Sequence, residues 1–276
     1  MPVIALTQEM GSLAKDIAVQ LGQVLNIDVM NNEVVEHLTQ KLDLHRSAIH
    51  RLREGKAGLV ERLTADKKSI ALYSSAQVFE LANRGNVVLR GWGATVLLRT
   101  VPHVPCVRIT RSFDKRVEWV MANIETDDKA FAEDEVRRSD EAHASRMHHQ
   151  FGVTWGDPLL YDLVLNTDRI SVDSCVDQVR LLLGRPEFSE TAESRVVLAN
   201  LTLEARLRAA LMDNDATRDT HVSIICRSGH VALLGIVVNA KERTATEQIV
   251  RTVSGVETVD NQLRVMTTAK RFTSAK

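Results

Sequence analysis

Cysteine is scarce in this sequence, with Cys106, Cys175 and Cys226 as the only three among 276 residues. An odd number of widely spaced cysteines argues against a disulfide framework and for a reducing compartment. The N-terminal stretch MPVIALTQEM has no charged region followed by a long apolar core, so we expect no signal peptide. No apolar run is long enough for a transmembrane segment. The sequence therefore predicts a cytoplasmic protein.

An excess of charge of one sign is also missing. The 35 basic and 36 acidic side chains give a formal net charge of −1 at pH 7. A nearly neutral chain has no global field that attracts nucleic acid, so we expect no nucleic-acid partner. Its content of 44% hydrophobic and 26% charged residues is that of an ordinary globular protein. The length allows one large domain, or a medium and a small one.

Short apolar runs alternate with segments of helical periodicity in the first 184 residues. The pattern predicts strands at residues 3–7, 86–90, 104–110 and 161–167. It predicts helices at residues 12–25, 113–150 and 171–184. Strands that alternate with helices indicate an α/β domain with a parallel sheet.

The composition changes after Gly184, where GRPEFSETAESR is polar and contains a proline. We place a linker at residues 185–198. Beyond it the pattern predicts the order α-β-β-α-β, with a hairpin around Ser228-Gly229. The sequence thus predicts a small α+β domain at residues 199–267, followed by a tail at 268–276.

The small domain resembles the BON domain. The match is carried by Gly235 at the end of V-x-L-x-G and by a G-V-x-x-V-x-N-x-L segment, with Gly255, Val256, Val259, Asn261 and Leu263. BON domains are similar to ligand-binding and self-association modules. The resemblance therefore implies a BON-domain ligand, a protein partner or a second copy of this chain in a homo-oligomer.

The first 184 residues resemble the cytidylate kinase-like family, a branch of the nucleoside monophosphate kinases with the P-loop fold. EMGSLAKDIA is similar to the family's E-Y-G-S-G-G-R-E-I-A, and GWGA to its G-R-G-A. FGVTWGDPLLYDLVLNT looks like the segment between the family's lid and last strand. The resemblance implies a kinase-like domain at residues 1–184, a parallel sheet flanked by helices, with ATP and Mg²⁺ as cofactors if it is active.

The segment Val3–Leu21 predicts a strand, a turn with one glycine, and a helix. Such a turn can hold a phosphate with successive N–H groups and with the positive end of the helix. Gly11 and Ser12 would then bind donor phosphates, and Lys15 would supply a cation to a β- or γ-phosphate. The alternative is a plain strand–helix turn in which Lys15 is solvated or caps the helix.

Five positions depart from the family pattern. Leu13 and Ala14 replace glycines, and Asn31 replaces an acid. Trp92 replaces an arginine, although an indole cannot make the bidentate phosphate contacts of a guanidinium. His143 also replaces an arginine, and neutral imidazole is a weaker ligand for anions. Each departure removes backbone freedom or a charge that the chemistry could use.

Monophosphate kinases place arginines on a mobile lid around the transferred phosphoryl group. By resemblance, Arg137, Arg138 and Arg146 would stabilise that group as catalytic residues together with Lys15. Asp140 is available to orient one of the arginines. The alternative is that these side chains form a solvated helix face.

The remaining candidates are substrate-binding residues. Glu33 and Arg46 lie in the acceptor region, where Arg46 could contact a monophosphate. Trp92 could stack on a base, or simply pack. Asp157 could assist at the nucleotide side of the sheet, although Gly-Asp-Pro is also a turn sequence. No metal site is predicted, because no cysteine or acid completes a tetrahedral set with the histidines of residues 143–149.

Two functions follow from these residues. The departures favour a kinase-like nucleotide-binding protein with a degenerate phosphate loop and lid, which acts in regulation or assembly through its BON domain. The alternative is an active enzyme that transfers a phosphoryl group from ATP-Mg to a nucleoside monophosphate, cytidylate by resemblance.

Overall fold

The computed structural model describes residues 1–30, 38–39, 41–42, 46–53, 67–91 and 93–266. The chain forms two compact units, Met1–Leu198 and Ala199–Lys276, which we describe separately. The strands of the first unit are β1 (Val3–Gln8), β2 (Asp28–Met30), β3 (Val87–Arg90), β4 (Cys106–Thr110) and β5 (Leu163–Asn166). Its helices are α1 (Ala14–Leu25), α2 (Arg46–Arg53), α3 (Lys67–Arg84), α4 (Ala94–Leu97), α5 (Phe113–Ile124), α6 (Lys129–Phe151) and α7 (Val172–Leu183).

The strands of the first unit form one parallel sheet in the order β2-β3-β1-β4-β5. The central strand β1 pairs with β3 on one side and with β4 on the other, so that Ala5 is level with both Leu89 and Cys106. The predicted α/β fold with a parallel sheet flanked by helices is confirmed. Because parallel strands end at a common edge, the segments that follow β1, β3 and β4 lie together.

The core of this unit lies between the sheet and two helices. Ile4 and Leu6 of β1 pack with Ile17 and Leu21 of α1, and Val176 of α7 completes the cluster. Each fully buried aliphatic side chain of this kind contributes about 1.5–3 kcal/mol to folding. This packing fixes the start of α1 against the end of β1.

The helix predicted at residues 113–150 is two helices. Glu125 adopts a left-handed conformation, with φ 53°, and ends α5. The Asp128 carboxylate then caps α6 by accepting a hydrogen bond from the Phe131 N–H at 3.0 Å. The acidic sequence ETDD therefore supplies an N-cap in the middle of the predicted helix. The two helices pack through Val117, Val120, Ala132 and Val136.

The expected linker at residues 185–198 is partly helical. A 3₁₀ turn spans Pro186–Phe188, and helix α8 (Ala192–Met212) includes residues 192–198. Thr191 and Ser194 cap this helix reciprocally, since each hydroxyl oxygen accepts the other residue's N–H, at 3.1 and 2.9 Å. The prediction missed this capping box in the polar sequence TAES.

The second unit has a three-stranded sheet in the order β6-β7-β8. Its elements beyond α8 are β6 (Ser223–Arg227), β7 (His230–Val237), α9 (Ala240–Thr252) and β8 (Thr258–Val265). β6 and β7 form the predicted antiparallel hairpin, and β8 pairs with β7 in parallel. Asn261 of the BON motif donates to Glu247 at 2.8 Å and so joins β8 to α9.

The described helices include none that is long and apolar enough to cross a lipid bilayer. All three cysteines are buried and free.

Candidate functional site

The turn between β1 and α1 runs from Glu9 to Leu13, at the edge where the strands of the sheet end. Gly11 has φ 76°, and a Cβ there would lie 3.1 Å from main-chain atoms of Arg116. Leu13 also has a left-handed conformation, with φ 64° and ψ 13°. That conformation costs a non-glycine residue about 1–2 kcal/mol. The backbone thus has a conformation suited to glycine at a position that leucine occupies.

This turn leaves several main-chain donors without a partner. Among the described residues, no acceptor bonds to the N–H groups of Gly11, Leu13, Ala14 and Lys15. Successive free N–H groups at the start of a helix form an anion-binding arrangement, which the helix dipole strengthens. Of the residues predicted to hold donor phosphates, Gly11 and Lys15 therefore lie in such an arrangement.

Ser12 was also predicted to bind donor phosphates, but its side chain serves the turn itself. The hydroxyl donates to the Glu9 carbonyl oxygen at 2.8 Å, and the Ser12 N–H donates to the same oxygen at 3.2 Å. Thr167 in turn donates its hydroxyl hydrogen to the Ser12 carbonyl oxygen at 3.0 Å. Ser12 is buried, and its hydrogen bonds stabilise the turn from the protein interior.

Lys15 lies in the first turn of α1 with an exposed side chain. Its neighbour Asp16 is exposed as well. Within the residues that the structure describes, neither side chain forms an ion pair, so the Lys15 ammonium is available to an anion at the turn.

Glu9 anchors the beginning of the turn. Its carboxylate accepts hydrogen bonds from Arg108 at 2.6 Å, from the Thr110 hydroxyl at 2.7 Å and from the Arg111 N–H at 3.1 Å. A largely buried carboxylate requires such donors, because the free-energy cost of removing it from water would otherwise be uncompensated. No local sequence pattern indicates this role of Glu9, since Arg108 and Thr110 lie 99 and 101 residues away in the sequence.

Trp155 of the WGDP segment forms a second anchor. Its main-chain oxygen accepts a hydrogen bond from Arg108 at 2.9 Å, and its indole N–H donates to Thr7 at 3.2 Å. The His143 ring stacks on the indole, with ring centroids 5.1 Å apart. His143, where the family has an arginine, therefore packs against a buried ring.

Two of the three predicted lid arginines are paired within their own helix. Arg137 is 55% exposed and forms an ion pair with Glu133 at 3.2 Å, while Arg138 pairs with Glu135. Arg146 is half-buried, and burial lowers its pKa to about 10. The exposed pair of Arg137 matches the alternative of a solvated helix face, whereas Arg138 pairs with the buried Glu135.

Asp140 does not orient any of these three arginines. It forms a bidentate ion pair with Arg116 of α5, at 2.8 and 2.7 Å. The expectation that Asp140 serves a lid arginine is therefore wrong, because Arg116 approaches it from the adjacent helix.

The predicted substrate-binding residues divide into two groups. Asp157 caps the 3₁₀ turn Pro158–Leu160 by accepting the Leu159 N–H at 2.9 Å, which agrees with the turn alternative. Glu33 and Trp92 lie outside the described residues, as does the side chain of Arg46. Sequence reasoning also missed Arg90 and Arg111, which lie on either side of the turn.

Comparison with known proteins gives two family matches. The model of the cytidylate kinase-like family matches residues 3–169, and that of the BON domain matches residues 200–267. A cytidylate kinase from Pyrobaculum neutrophilum is 26% identical over 182 residues, which cover 64% of this chain and 89% of that protein. A cytidylate kinase from Pyrobaculum islandicum is 26% identical over 191 residues, covering 67% and 96%.

A solved structure is also similar to this chain. An uncharacterized protein from Eubacterium ventriosum has a TM-score of 0.53 at 19% identity, over 67% of this chain and 100% of that one. At this identity the similarity concerns the fold alone.

Proposed function

The chain belongs to the cytidylate kinase-like family and carries a C-terminal BON domain, and from this premise we propose that its first unit binds a nucleotide by the phosphates. In this proposal the turn Glu9–Leu13 and the start of α1 hold the phosphates, while phosphoryl transfer is slow or lost. The protein then acts in regulation or assembly, with the BON domain as the part that binds a ligand or partner.

One observation carries the binding part of the proposal. Leu13 has φ 64°, although left-handed backbone is unfavourable for leucine, and the adjacent N–H groups stay free among the described residues. The strain is consistent with a backbone that is shaped for an anion.

The contacts of α6 support the proposed loss of transfer. Transfer requires cations around the migrating phosphoryl group. Arg137 and Arg138 instead pair with acids one turn away, and His143 stacks on Trp155. Recruiting either arginine would require breaking an existing ion pair.

Active nucleoside monophosphate kinase is the second candidate, with ATP as donor. It is favoured by Lys15, an exposed residue whose own N–H is among the free donors of the turn, and by the name of the curated relatives. Within the described residues no three His, Cys, Asp or Glu side chains cluster as metal ligands. That is compatible with Mg²⁺, which is usually held by one or two carboxylates together with the substrate phosphates.

A phosphoryl-transfer assay separates the two candidates. The purified chain is incubated with ATP-Mg and each of CMP, dCMP, UMP, AMP and GMP, and diphosphate formation is followed. A Lys15→Ala variant reports contaminating activity, and ATP binding is measured in the same preparations. Binding by the wild type without transfer above the Lys15→Ala level supports the proposal. Transfer to one acceptor that disappears in Lys15→Ala contradicts it and establishes a kinase.

A further inference from the structure

Arg90 and Arg111 lie on the two sides of the turn Glu9–Leu13. Arg90 is the last residue of β3, and Arg111 directly follows β4. Since β1 lies between these two strands and all three are parallel, both arginines stand at the edge where the turn begins. They come from distant parts of the sequence, so the topology alone brings them together.

Arg90 reaches towards the start of α1. Its guanidinium donates to the side-chain oxygen of Gln8, the last residue of β1, at 2.9 Å. Burial lowers the pKa of Arg90, and the attraction of Asp16 in the first turn of α1 opposes this effect. Its Nε atom is buried and has no acceptor among the described residues.

Arg111 approaches the same turn from the β4 side. Its guanidinium donates to the Gly11 carbonyl oxygen at 3.3 Å, and its main-chain N–H donates to Glu9 at 3.1 Å. Its Nε atom is also buried without an acceptor in the part of the chain that the structure describes. Arg111 therefore contacts the turn itself, and Arg90 contacts the residue that precedes it.

Guanidinium groups with spare donors are expensive to bury unless an anion pairs with them. Within the described residues, neither Arg90 nor Arg111 lies within ion-pair distance of a carboxylate, and Asp16 and Asp168 attract them only from farther away. The planar guanidinium of arginine can donate two parallel hydrogen bonds to phosphate oxygens, whereas the ammonium of lysine cannot. Both side chains are half-buried, so an anionic ligand at the turn would pair with the accessible ends of their guanidinium groups.

We propose that Arg90 and Arg111 bind phosphate oxygens of the nucleotide, one from each side of the turn. This inference rests on the proposed function. The cations that bind the phosphates would come from the ends of β3 and β4, and not from the arginines of α6. The shared chemistry is a nucleotide phosphate, which could belong to a donor triphosphate or to an acceptor monophosphate.

Calorimetric titrations of Arg90→Gln and Arg111→Gln test the proposal. ATP and CMP are titrated separately into the full chain, with Arg180→Gln as the control, because Arg180 is an exposed α7 residue paired with Asp177. We expect at least one nucleotide to bind each Gln variant about tenfold or more weakly than the wild type. A loss for ATP assigns the arginine to donor phosphates, and a loss for CMP to the acceptor. Arg180→Gln should bind like the wild type.

The outcomes distinguish this inference from the proposed function. Nucleotide binding that is unchanged in both Gln variants overturns the roles of Arg90 and Arg111 but leaves the turn as a phosphate site. Absence of binding by the wild type overturns both. If a Gln variant does not fold, Arg90→Met or Arg111→Met replaces it, since methionine keeps an apolar stem without the donors. Unchanged affinity in the Met variant likewise overturns the inference.

Discussion

Arg116 of α5 and Asp140 of α6 form two parallel hydrogen bonds, at 2.8 and 2.7 Å. Burial alone would lower the pKa of Arg116, but hydrogen bonding to Asp140 raises it above its usual value. The main chain of Arg116 also lies against Gly11, where a Cβ would approach to 3.1 Å. The turn Glu9–Leu13 and α6 are therefore connected through one arginine of α5.

Asp140→Asn should lower the free energy of unfolding by about 1–3 kcal/mol, because it removes the bidentate carboxylate of the buried Arg116 and leaves only the more distant Glu9, at 3.8 Å. Asp140 is itself 31% exposed, which keeps the effect below that of a fully buried pair. Urea denaturation measures the change. Asp177→Asn, in an exposed pair with Arg180, is the control and should cost less than about 0.5 kcal/mol. Equal effects of the two substitutions would show that Arg116 and Asp140 are not coupled.

Leu13→Gly should be more stable than Leu13→Ala by about 1 kcal/mol, because both remove the leucine side chain and only glycine relieves the left-handed conformation. Because both variants lose the packing of the leucine side chain, that loss of stability cancels when the two are compared. Thermal unfolding of both proteins under one condition gives the difference. An alanine variant as stable as the glycine variant would contradict a positive φ at this position.

His103 should make the protein less stable in mild acid. It is 5% exposed, and burial lowers its pKa from 6.5, while attraction to Glu190 opposes the shift. In mild acid the His103 imidazole is therefore protonated more readily in the unfolded chain than in the folded one. The free energy of unfolding falls as the pH drops below 6.5. The slope is at most about 1.4 kcal/mol per pH unit.

Denaturation curves between neutral and mildly acidic pH, for the wild type and His103→Gln, isolate this contribution. The variant should lose less stability over that range than the wild type. His148→Gln, at an exposed histidine, should behave like the wild type. Parallel curves for His103→Gln and the wild type would rule out the assigned role.

The three thiols should be unreactive while the chain is folded. Burial raises the pKa of Cys106 to about 12 and that of Cys226 to about 11, and it also raises the pKa of Cys175. Only the thiolate reacts with DTNB, so we expect a reaction at least a hundredfold slower than in urea. Rapid reaction of any thiol with DTNB in the folded protein would contradict this expectation.

The regular parts of this fold could be predicted because their signals are local. The strand of Val3–Gln8, the amphipathic helix α1 and the hairpin at Ser228-Gly229 follow from periodicity and turn residues. The break at Glu125 was missed because charged residues continue a helical pattern across it. The start of α8 was missed because its capping residues resemble a linker.

The candidate site was harder to predict than the fold. Gly11 and Lys15 could be placed from the motif, since they follow β1 directly. The contacts of Glu9 with Arg108 and of Arg116 with Asp140 depend on the sheet order and on helix packing, which no short segment encodes. Motif reasoning therefore selected the α6 arginines and overlooked the charged residues that the topology brings to the turn.

An amide NMR titration with ATP tests whether the turn after β1 binds nucleotide phosphates. We expect saturable shifts of the N–H resonances of Gly11, Leu13, Ala14 and Lys15, because these donors are free among the described residues. The N–H resonances of Gly229 and Gly255 in the BON domain should stay unchanged. Saturable shifts confined to other residues, or no shifts at millimolar ATP, would contradict the claim.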